Sequence, residues 1–561
     1  PDLLQPAADL ARDGFPASPE LGIFIGFEEE NVRNHPPTAA LYIVDGDLVE
    51  SGQTLYNPDL AATFEELIAA FSGGAIDALN EAIGKLVMWL ILAAVVISAG
   101  NAENERVSIG ARALSGPIYK GHIFWDSEMF ILPFFIFTHP PTARAMIMYR
   151  YHTLDGARAN ARRNGYEGAQ YAWESTGGGE EMTPPAALTP TGEVIPILSG
   201  HLEHHITADV AYGVWTYWNA TRDEEFLLQA GAEILVETAR FWASRAVSGD
   251  DGLYHVYRVE GPDEYHEEVD DNLYTNLMAA YNLRHAARVV EFLQERHPEH
   301  WQRLREKTGL RADEPDGWST VEERMYGNGQ GERGLLEQFA GYFGLEDIDV
   351  RRYEPSTGAL DTILGRERTA SSQLVKQADV VMALYLLEDR FPPPVIEENF
   401  LYYERRTAHG SSLSPSIYGL VAARLGMTRK AMEYLRRAGT IDLSDNMGNA
   451  AGGVHAAALG GLWQFLVMGF AGVRAWDEGL LIDPRPPARW RRMRFSLTWR
   501  GAWLDFDIRR KRRMALQVSG VRGLEVDVGI FGREARRVRA GSRYVSTWSG
   551  KAWDAFEEEG E

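Results

Sequence analysis

The amino-acid sequence predicts a mainly α-helical protein, in which a toroid of paired helices precedes a small β-sandwich. From about residue 58 to residue 470, apolar residues recur every three or four positions, which is typical of helices with one buried face. Short turns alternate with long polar loops there, as expected of helix pairs whose long loops gather at one end as a cleft. After about residue 483, apolar and polar residues alternate strictly, which indicates half-buried strands.

The overall composition limits the kinds of molecule that we expect the protein to bind. The chain has 561 residues, a formal net charge of −24 and no cysteine. A surface this acidic repels phosphate backbones and anionic lipids, so we expect neither a nucleic acid nor a membrane as partner. The absence of cysteine excludes disulfides and thiolate catalysis, and it fits a cytoplasmic location. The apolar run at residues 86–99 is too short to cross a bilayer and predicts a buried helix.

The periodic pattern also gives approximate element boundaries. A capping box, with Thr221 three residues before Glu224, predicts where one of the clearest helices begins. Long loops are predicted at 175–199, 309–334 and 354–372. Helices are predicted at 221–247, 277–294, 373–389, 414–425, 429–438 and 455–468. We expect three domains: a short irregular segment (1–57), a helical domain (58–475) and the β-sandwich (476–561).

Basic residues cluster at 489–494 and 509–513, within the predicted sandwich. They fit a nucleic-acid patch or a solvated strand face with salt bridges, and the second interpretation is favoured. A histidine-rich stretch at 201–205 (HLEHH) has no further carboxylate or histidine at a defined spacing, so no metal site is expected. Residues 327–334 are rich in glycine but follow no strand, which favours a loop over a dinucleotide site.

Three clusters are polar where a helix toroid should be apolar. In the first, Trp125 and Asp126 are neighbours, as are Trp173 and Glu174. Carboxylates beside tryptophans suit a pyranose ring, because they accept its hydroxyls and cover its C–H face. A buried ion pair among core aromatics is the alternative.

The second cluster is the sequence Gly-Pro-Asp-Glu-Tyr-His at residues 261–266, preceded by Glu260. Burial and acidic neighbours raise a carboxyl pKa, which a general acid requires at neutral pH. An N-cap for the following helix is the alternative.

The third cluster combines glycines with hydroxyl, imidazole and ammonium groups that can hold a tetrahedral oxyanion. No carboxylate lies within residues 409–414, whereas a hydrolase needs a base to activate water. Phosphate carries its own charge and needs no such base. The residues concerned are Lys376, Gln377, His409, Ser411, Ser412 and His455.

Together these stretches resemble glycoside hydrolase family 65, the inverting disaccharide phosphorylases that act on maltose, kojibiose, nigerose, trehalose or glucosylglycerol. The resemblance covers roughly residues 114–464. It rests on LSGPIYKGHIFWDSEMFILPFF, YRYHTLDGARANARRNGYEGAQYAWES, HITADVAYGVW, GPDEYHEEVDDNLYTN, VKQADVV, HGSSLSPSIYGLVAARLG and GGVHAAALGGLWQ.

The resemblance implies an (α/α)6 barrel and specific residue roles. Glu264 matches the general acid that protonates the departing glycosidic oxygen. Phosphate is then the co-substrate, no other cofactor is needed, and the products are β-glucose 1-phosphate and a free acceptor. The glucose pocket matches Trp125, Asp126, Trp173, Glu174, Lys376 and Gln377, and the phosphate site matches His409, Ser411, Ser412 and His455.

The segment before residue 58 does not resemble the N-terminal β-sandwich of the family, so we expect that domain to be largely absent. Because that domain helps to form dimers, a homodimer is an open expectation. Two alternative functions also stay open: an inverting α-glucoside hydrolase of the same fold, and an inactive carbohydrate-binding protein.

Overall fold

The structure, a computed structural model, describes most of the chain. The described residues are 5–17, 33, 42–44, 46–50, 52–58, 61–62, 65, 93–116, 118–188, 194–327, 334–353, 360–510 and 512–559. The chain forms two compact units, Pro1–Leu90 and Ile91–Glu561. The predicted domain boundaries at 57/58 and 475/476 stay predictions.

The first unit contains one short helix and two small strand pairs among its described residues. The helix is Gln5–Asp13, Phe15–Pro16 pairs with Thr54–Leu55, and Ile43–Val44 pairs with Asp47–Leu48. A small core of Ala17, Val49 and Leu55 lies between them.

Eleven helices in the second unit, numbered in chain order, build a double-layered barrel from its described residues. They are α1 (Leu132–Thr138), α2 (Pro140–His152), α3 (His205–Thr221), α4 (Ala232–Arg245), α5 (Leu273–Arg296), α6 (Glu314–Glu323), α7 (Val380–Leu386), α8 (Pro393–Glu404), α9 (Ser414–Arg424), α10 (Thr428–Gly439) and α11 (Ala456–Gln464). Helices α1, α3, α5, α7, α9 and α11 contact one another in a closed ring. The others lie outside, each packed against one or two inner helices. This is the (α/α)6 architecture that the resemblance implied.

The inner ring is apolar where its helices meet. Helix α3 is buried along nearly its whole length, and so is α11. Glycines in α11 allow close approach: a Cβ at Gly460 would lie 2.3 Å from the backbone oxygen of Phe130. Because outer helices return the chain, all six inner helices begin at the same end of the barrel, and the loops before them meet there.

Three π-helical segments adjoin helices of the barrel. Ser127–Ile131 leads into α1, Leu227–Gly231 leads into α4, and Phe465–Phe470 extends α11. The apolar run at residues 86–99 is described only from residue 93, where Ala93–Ile97 packs against α11. Among the described residues, no helix is both long enough and apolar enough to cross a membrane.

Several predicted elements were wrong. The helix predicted at 373–389 begins only at Val380, and the loop predicted at 354–372 contains two short helices, Leu360–Leu364 and Arg366–Ala370. Thr221 ends α3 instead of capping the next helix, because Arg222 turns left-handed (φ 56°) and the Asp223 side chain accepts the Phe226 N–H at 3.0 Å. The predicted loop 309–334 contains α6, whose Trp318 is buried. Residues 328–333 of that loop, within the glycine-rich stretch, lie outside the described residues.

The β-sandwich pattern is confirmed by two sheets. Leu504, Phe506 and Ile508 face inward, as predicted, and Trp499 stacks on Phe137 of α1 with ring centroids 6.5 Å apart. The basic cluster lies partly on a strand face, where Arg492 pairs with Asp507 at 2.7 Å. The first sheet is Arg492–Trp499, Ala502–Arg509, Arg513–Ser519, Arg543–Thr547 and Glu557–Glu558; the second is Arg536–Arg539, Glu525–Ile530, Gly479–Ile482 and Arg474–Trp476.

Candidate active site

A cavity of about 140 Å³ opens at the end of the barrel where the inner helices begin. Its lining joins segments far apart in the chain, because each comes from a loop just before an inner helix. The lining residues are Ala111, Arg112, Tyr119, Phe124, Trp125, Asp126, Trp173, Glu264, Gln377, Ser411, Ser412, Leu413, His455 and Ala457. Seven of the predicted site residues line this one cavity, besides Glu264.

Two neighbours hold the Glu264 carboxyl in place. The Lys376 ammonium contacts Oε2 at 2.8 Å, and the Gln377 amide donates to Oε1 at 3.3 Å. Burial alone would lower the pKa of Lys376, but the charge and hydrogen bond of Glu264, together with the charge of Glu203, outweigh it and raise that pKa above its ordinary value. Lys376 is therefore a permanent cation beside this carboxyl.

The loop that carries Glu264 is fixed by the residue before it. The buried Asp263 carboxylate accepts the Lys376 backbone N–H at 2.6 Å, the Gln338 amide at 2.8 Å and His266 Nδ1 at 2.7 Å. His266 Nε2 contacts the Ser372 carbonyl at 2.7 Å, so both ring nitrogens donate. Burial alone would lower the pKa of His266, but Asp263 raises it. Asp263 thus anchors the loop, while the half-buried Glu264 carboxyl lies on the cavity.

Further carboxyls near Glu264 hold protons in the neutral range. Burial, followed by the charge of Glu264, raises the pKa of Glu260 to about 9. Burial and Glu260 together raise the pKa of Glu203 well above its ordinary value. Asp126 keeps part of its surface open to the cavity, yet the protein around its carboxyl raises its pKa to about 7. Burial and the neighbouring acids therefore disfavour the ionised forms of Glu260, Glu203 and Asp126.

Two tryptophans form an apolar wall of the cavity. Trp125 and Trp173 lie with ring centroids 6.5 Å apart, and Trp125 also packs edge-on against His205 at 5.2 Å. Glu174 lies just behind this wall, with Oε2 3.2 Å from His122 Nδ1. The aromatic surface beside carboxyls matches the recognition chemistry expected for a pyranose.

The two serines lie in the loop that leads into α9. This loop is tied to the Glu264 region because the Gly410 N–H donates to the Lys376 carbonyl at 2.9 Å. Ser411 and Ser412 are half-buried and line the cavity, on the positive end of the α9 dipole. An anion bound there would meet hydroxyl donors and a helix N-terminus together.

His409 does not line the cavity, unlike its sequence neighbours. Its backbone is left-handed (φ 55°), which turns the ring inward, where Nδ1 contacts Ser414 Oγ at 2.8 Å and Nε2 contacts the Tyr434 hydroxyl at 3.1 Å. Burial lowers the pKa of His409 well below its ordinary value. The His409 ring is therefore neutral and anchors the loop of Ser411 and Ser412 from behind, while its role in binding phosphate stays a prediction.

His455 lines the cavity immediately before α11. Its Nδ1 lies 2.5 Å from Asp442 Oδ1 and 3.1 Å from Arg112 Nη1. Arg112 is buried, donates to the Gly453 carbonyl at 2.5 Å and lines the cavity next to the serines. The Arg112 guanidinium therefore places a positive charge on the part of the cavity wall that also carries the Ser411 and Ser412 hydroxyls.

Arg112, Tyr119 and Asp442 are site residues that sequence reasoning missed. Arg112 comes 343 residues before His455 in the chain, so no local spacing could join them. Tyr119 and Lys120 both have left-handed backbones (φ 65° and 53°), a strained turn that no local pattern marks.

The histidine-rich stretch 201–205 forms hydrogen bonds with protein side chains. His204 Nδ1 accepts from Arg245 at 3.2 Å, and His205 lies between Asp209 (2.6 Å) and Glu203 (3.3 Å). In the part of the chain that the structure describes, no group of three or more potential ligands could hold a metal ion.

Comparisons with known proteins agree with this geometry. The family model described as glycosyl hydrolase family 65 central catalytic domain matches residues 93–464, and the C-terminal domain model of that family matches residues 473–536. Residues 1–76 match a third model, gamma-glutamyltranspeptidase.

Curated relatives match about three quarters of the chain. Kojibiose phosphorylase of Caldanaerobacter subterraneus subsp. tengcongensis is 41% identical over 448 residues, which cover 78% of this chain and 57% of that protein. Kojibiose phosphorylase of Escherichia coli is 38% identical (74% and 54% covered), and nigerose phosphorylase of Lachnoclostridium phytofermentans is 33% identical (72% and 55% covered). The chain thus spans a little over half the length of these relatives.

A solved structure described as a candidate kojibiose phosphorylase from the human microbiome has a TM-score of 0.69 to this chain, with 25% identity. The match covers 79% of this chain and 60% of the other. Since the family model for the catalytic domain covers most of the chain, the protein belongs to glycosyl hydrolase family 65.

Proposed function

We propose that this protein is a phosphorylase that cleaves an α-glucoside disaccharide with inorganic phosphate and inverts the anomeric centre. The observation that carries the proposal is that a candidate acid, Glu264, shares one small cavity with two serines, His455 and Arg112. A proton donor and an anion-holding wall on the same cavity are what a single displacement by phosphate requires.

In this mechanism Glu264 gives its proton to the glycosidic oxygen as the bond to the anomeric carbon breaks. An oxygen of phosphate attacks that carbon from the opposite face, and its electron pair forms the new C–O bond. The products are β-glucose 1-phosphate and the free acceptor. Lys376 and Gln377 hold the Glu264 carboxyl, while Trp125 and Trp173 cover the face of the glucosyl ring.

The role of phosphate is supported by the charges on the cavity wall. Among the described lining residues, the carboxyls are Glu264 and Asp126, while Arg112 is cationic. A hydrolase needs one carboxylate as acid and another as base. Asp126 could serve as that base, because a pKa of about 7 leaves about half of it ionised at neutral pH, and this keeps hydrolysis as the second candidate.

Kojibiose is the first substrate to test, because the relatives that are 41–43% identical are kojibiose phosphorylases. Trehalose, glucosylglycerol and nigerose phosphorylases are 33–36% identical. We further propose that phosphate is a co-substrate and that no other cofactor is needed. The homodimer and the cytoplasmic location stay predictions.

The experiment compares cleavage of kojibiose with and without inorganic phosphate, and identifies the products. We expect cleavage only with phosphate, and β-glucose 1-phosphate as product. In the reverse direction, β-glucose 1-phosphate should donate glucose to a glucose acceptor, whereas the α-anomer, a matched control, should not. Free glucose formed in phosphate-free buffer would establish the hydrolase instead.

A further inference from the structure

One ring nitrogen of His455 contacts both a hydrogen-bond acceptor and a hydrogen-bond donor. Its Nδ1 lies 2.5 Å from a carboxylate oxygen of Asp442 and 3.1 Å from a guanidinium nitrogen of Arg112. A carboxylate only accepts hydrogen bonds, and a guanidinium only donates them. One ring nitrogen cannot serve both at once, so the geometry decides whether Nδ1 carries a proton.

The contacts favour a proton on Nδ1. The Asp442 contact is the shorter one, and Arg112 Nη1 already donates to the Gly453 carbonyl at 2.5 Å. The second oxygen of Asp442 accepts the backbone N–H of His455 at 3.1 Å. Asp442 therefore receives two hydrogen bonds from the same residue, and these fix both the position and the rotation of the ring.

We propose that Asp442 is a positioning residue for the incoming phosphate, because it fixes the Nδ1–H tautomer of His455 and so presents Nε2 to the cavity. The proposal rests on the phosphorylase function, and it deepens that function by assigning the atom that meets phosphate. Arg112 stays beside the ring as the fixed cation of the same wall.

The proton balance of the step follows from this assignment. When hydrogen phosphate enters, Nε2 accepts the proton of a phosphate hydroxyl, which leaves the negative charge on the phosphate oxygens. One of them forms the bond to the anomeric carbon, while the glycosidic oxygen keeps the electron pair of the broken bond and takes the Glu264 proton. His455 has gained one proton and Glu264 has lost one, so solvent exchange restores both.

Asp442→Asn tests the proposal sharply, because an amide has one oxygen and one NH₂ group. The carboxylate accepts from both the backbone N–H and the ring Nδ1 of His455, and the amide can accept from only one. The backbone N–H cannot become an acceptor, so the NH₂ group must face Nδ1, and the ring must move its proton to Nε2. The substitution therefore reverses the tautomer with little change in volume.

We expect the KM for phosphate to rise by about 10–100-fold in Asp442→Asn, as is usual when the partner of a functional histidine is removed, with the disaccharide KM close to that of the wild type. Asp445→Asn is the matched control: it lies on the same loop, accepts the Ala450 N–H at 2.9 Å and is exposed, so both KM values should be unchanged. An unchanged phosphate KM in Asp442→Asn would overturn the proposal, and so would equal losses for both substrates.

The tautomer itself is read from ¹⁵N chemical shifts of labelled histidine, with the His455 signals assigned by their loss in His455→Gln. The wild type should show a protonated Nδ1, and Asp442→Asn a protonated Nε2. A wild-type ring with unprotonated Nδ1 would refute the proposal whatever the enzyme does. Because this readout needs no turnover, it separates failure of the tautomer assignment from failure of the phosphorylase function.

Discussion

The two ends of the barrel differ in how they use charge. At the end opposite the candidate site, a cavity of about 440 Å³ is lined by Arg284, Arg288, Arg390, Arg424 and Arg474, among other residues. Three of these arginines contact carboxylates: Arg288 contacts Asp477 at 2.6 Å, and Arg424 and Arg474 both contact Glu388 at 2.7 Å. At the site end, around the cavity of about 140 Å³, burial instead raises the pKa of Asp126 on the lining to about 7 and that of the nearby Glu260 to about 9.

The difference shows that cavity size does not identify the site. In the larger cavity, salt bridges hold Arg288, Arg424 and Arg474, so these charged groups stabilise that end of the barrel. The smaller cavity holds acid groups, hydroxyls and an arginine that a ligand can use. Its chemistry costs stability locally, as is common where function needs groups that the fold alone would not place there.

Glu264→Gln, at the site end, should reduce activity more than any other single substitution. A positioned general acid contributes about 10²–10⁴-fold, so we expect turnover of the disaccharide to fall by that factor. Thermal unfolding should be nearly unchanged, since the Lys376 and Gln377 contacts can persist. Glu267→Gln is the control, because Glu267 is a nearby acidic residue that pairs with Arg366 (2.6 Å) at the surface. Wild-type turnover in Glu264→Gln would show that Glu264 is not the general acid.

Glu388→Gln, at the opposite end, should instead lower the stability of the fold and leave the activity nearly unchanged. Glu388 holds two arginines whose side chains are 9% and 3% exposed, and removal of its charge leaves both buried without a counter-ion. Loss of one partner from a buried ion pair costs about 3–5 kcal/mol, so the free energy of unfolding should fall by that amount. Both KM values should stay close to wild type.

The control for this variant is Asp349→Asn, which removes an exposed partner of Arg351 and should cost about 1 kcal/mol or less. If the Glu388 and Asp349 variants lose equal stability in urea unfolding, the two ends do not differ in the way described.

Ser411→Ala and Ser412→Ala should act on one substrate only. A hydrogen bond to a charged group is worth about 1.5–3 kcal/mol, so each variant should raise the KM for phosphate about tenfold or more. The disaccharide KM should change little, because the glucose wall is formed by the tryptophans. Ser371→Ala is the control, since its hydroxyl donates to the Glu367 carbonyl on an exposed helix. Equal rises in both KM values would argue against a separate phosphate wall.

The sequence predicted the helix barrel well because its signal is periodic and local. It failed where neighbouring elements decide an outcome. Thr221 and Glu224 fit a capping box, yet the preceding helix extends to Thr221 and Asp223 takes the cap. Helix α6 was missed because Trp318 and Val321 are its few buried apolar residues in a polar stretch.

The candidate site was predictable wherever a local motif carried the chemistry, as for Glu264 and the twin serines. His409 belongs to the same motif, but a left-handed backbone, which no spacing reveals, turns its ring away. Arg112 and Asp442 lie far from His455 in sequence or on an irregular loop. Arg112 meets it because the ring of inner helices closes between α11 and α1, and Asp442 meets it through the irregular segment that leads into α11.

The two ends should also respond to pH with opposite sign. The pKa of Asp126, about 7, lies above its ordinary value, so the folded chain binds more protons than the unfolded chain between about pH 4 and pH 7. Its contribution to stability therefore falls as pH rises through that range. For Glu388, burial would raise the pKa, but Arg424 and Arg474 hold it below its ordinary value. Its contribution is present above that ordinary value and is lost as pH falls.

Asp126→Asn should accordingly flatten the decline of the unfolding free energy between about pH 4 and pH 7, whereas Glu388→Gln should flatten the loss toward acid. Urea titrations at about pH 5, 6 and 7 measure the slope due to Asp126, and further titrations at about pH 2, 3 and 4 measure the loss due to Glu388. The effect of Asp126 is the smaller one to detect, because Glu260 and Asp379, whose raised pKa values are about 9 and about 7, act with the same sign and remain in the variant. An Asp126→Asn curve parallel to that of the wild type would mean that this carboxyl ionises freely in the folded chain. Asp126 and Glu388 would then not respond to pH with opposite sign, because the raised pKa of Asp126 is what assigns the decline with rising pH to the site end.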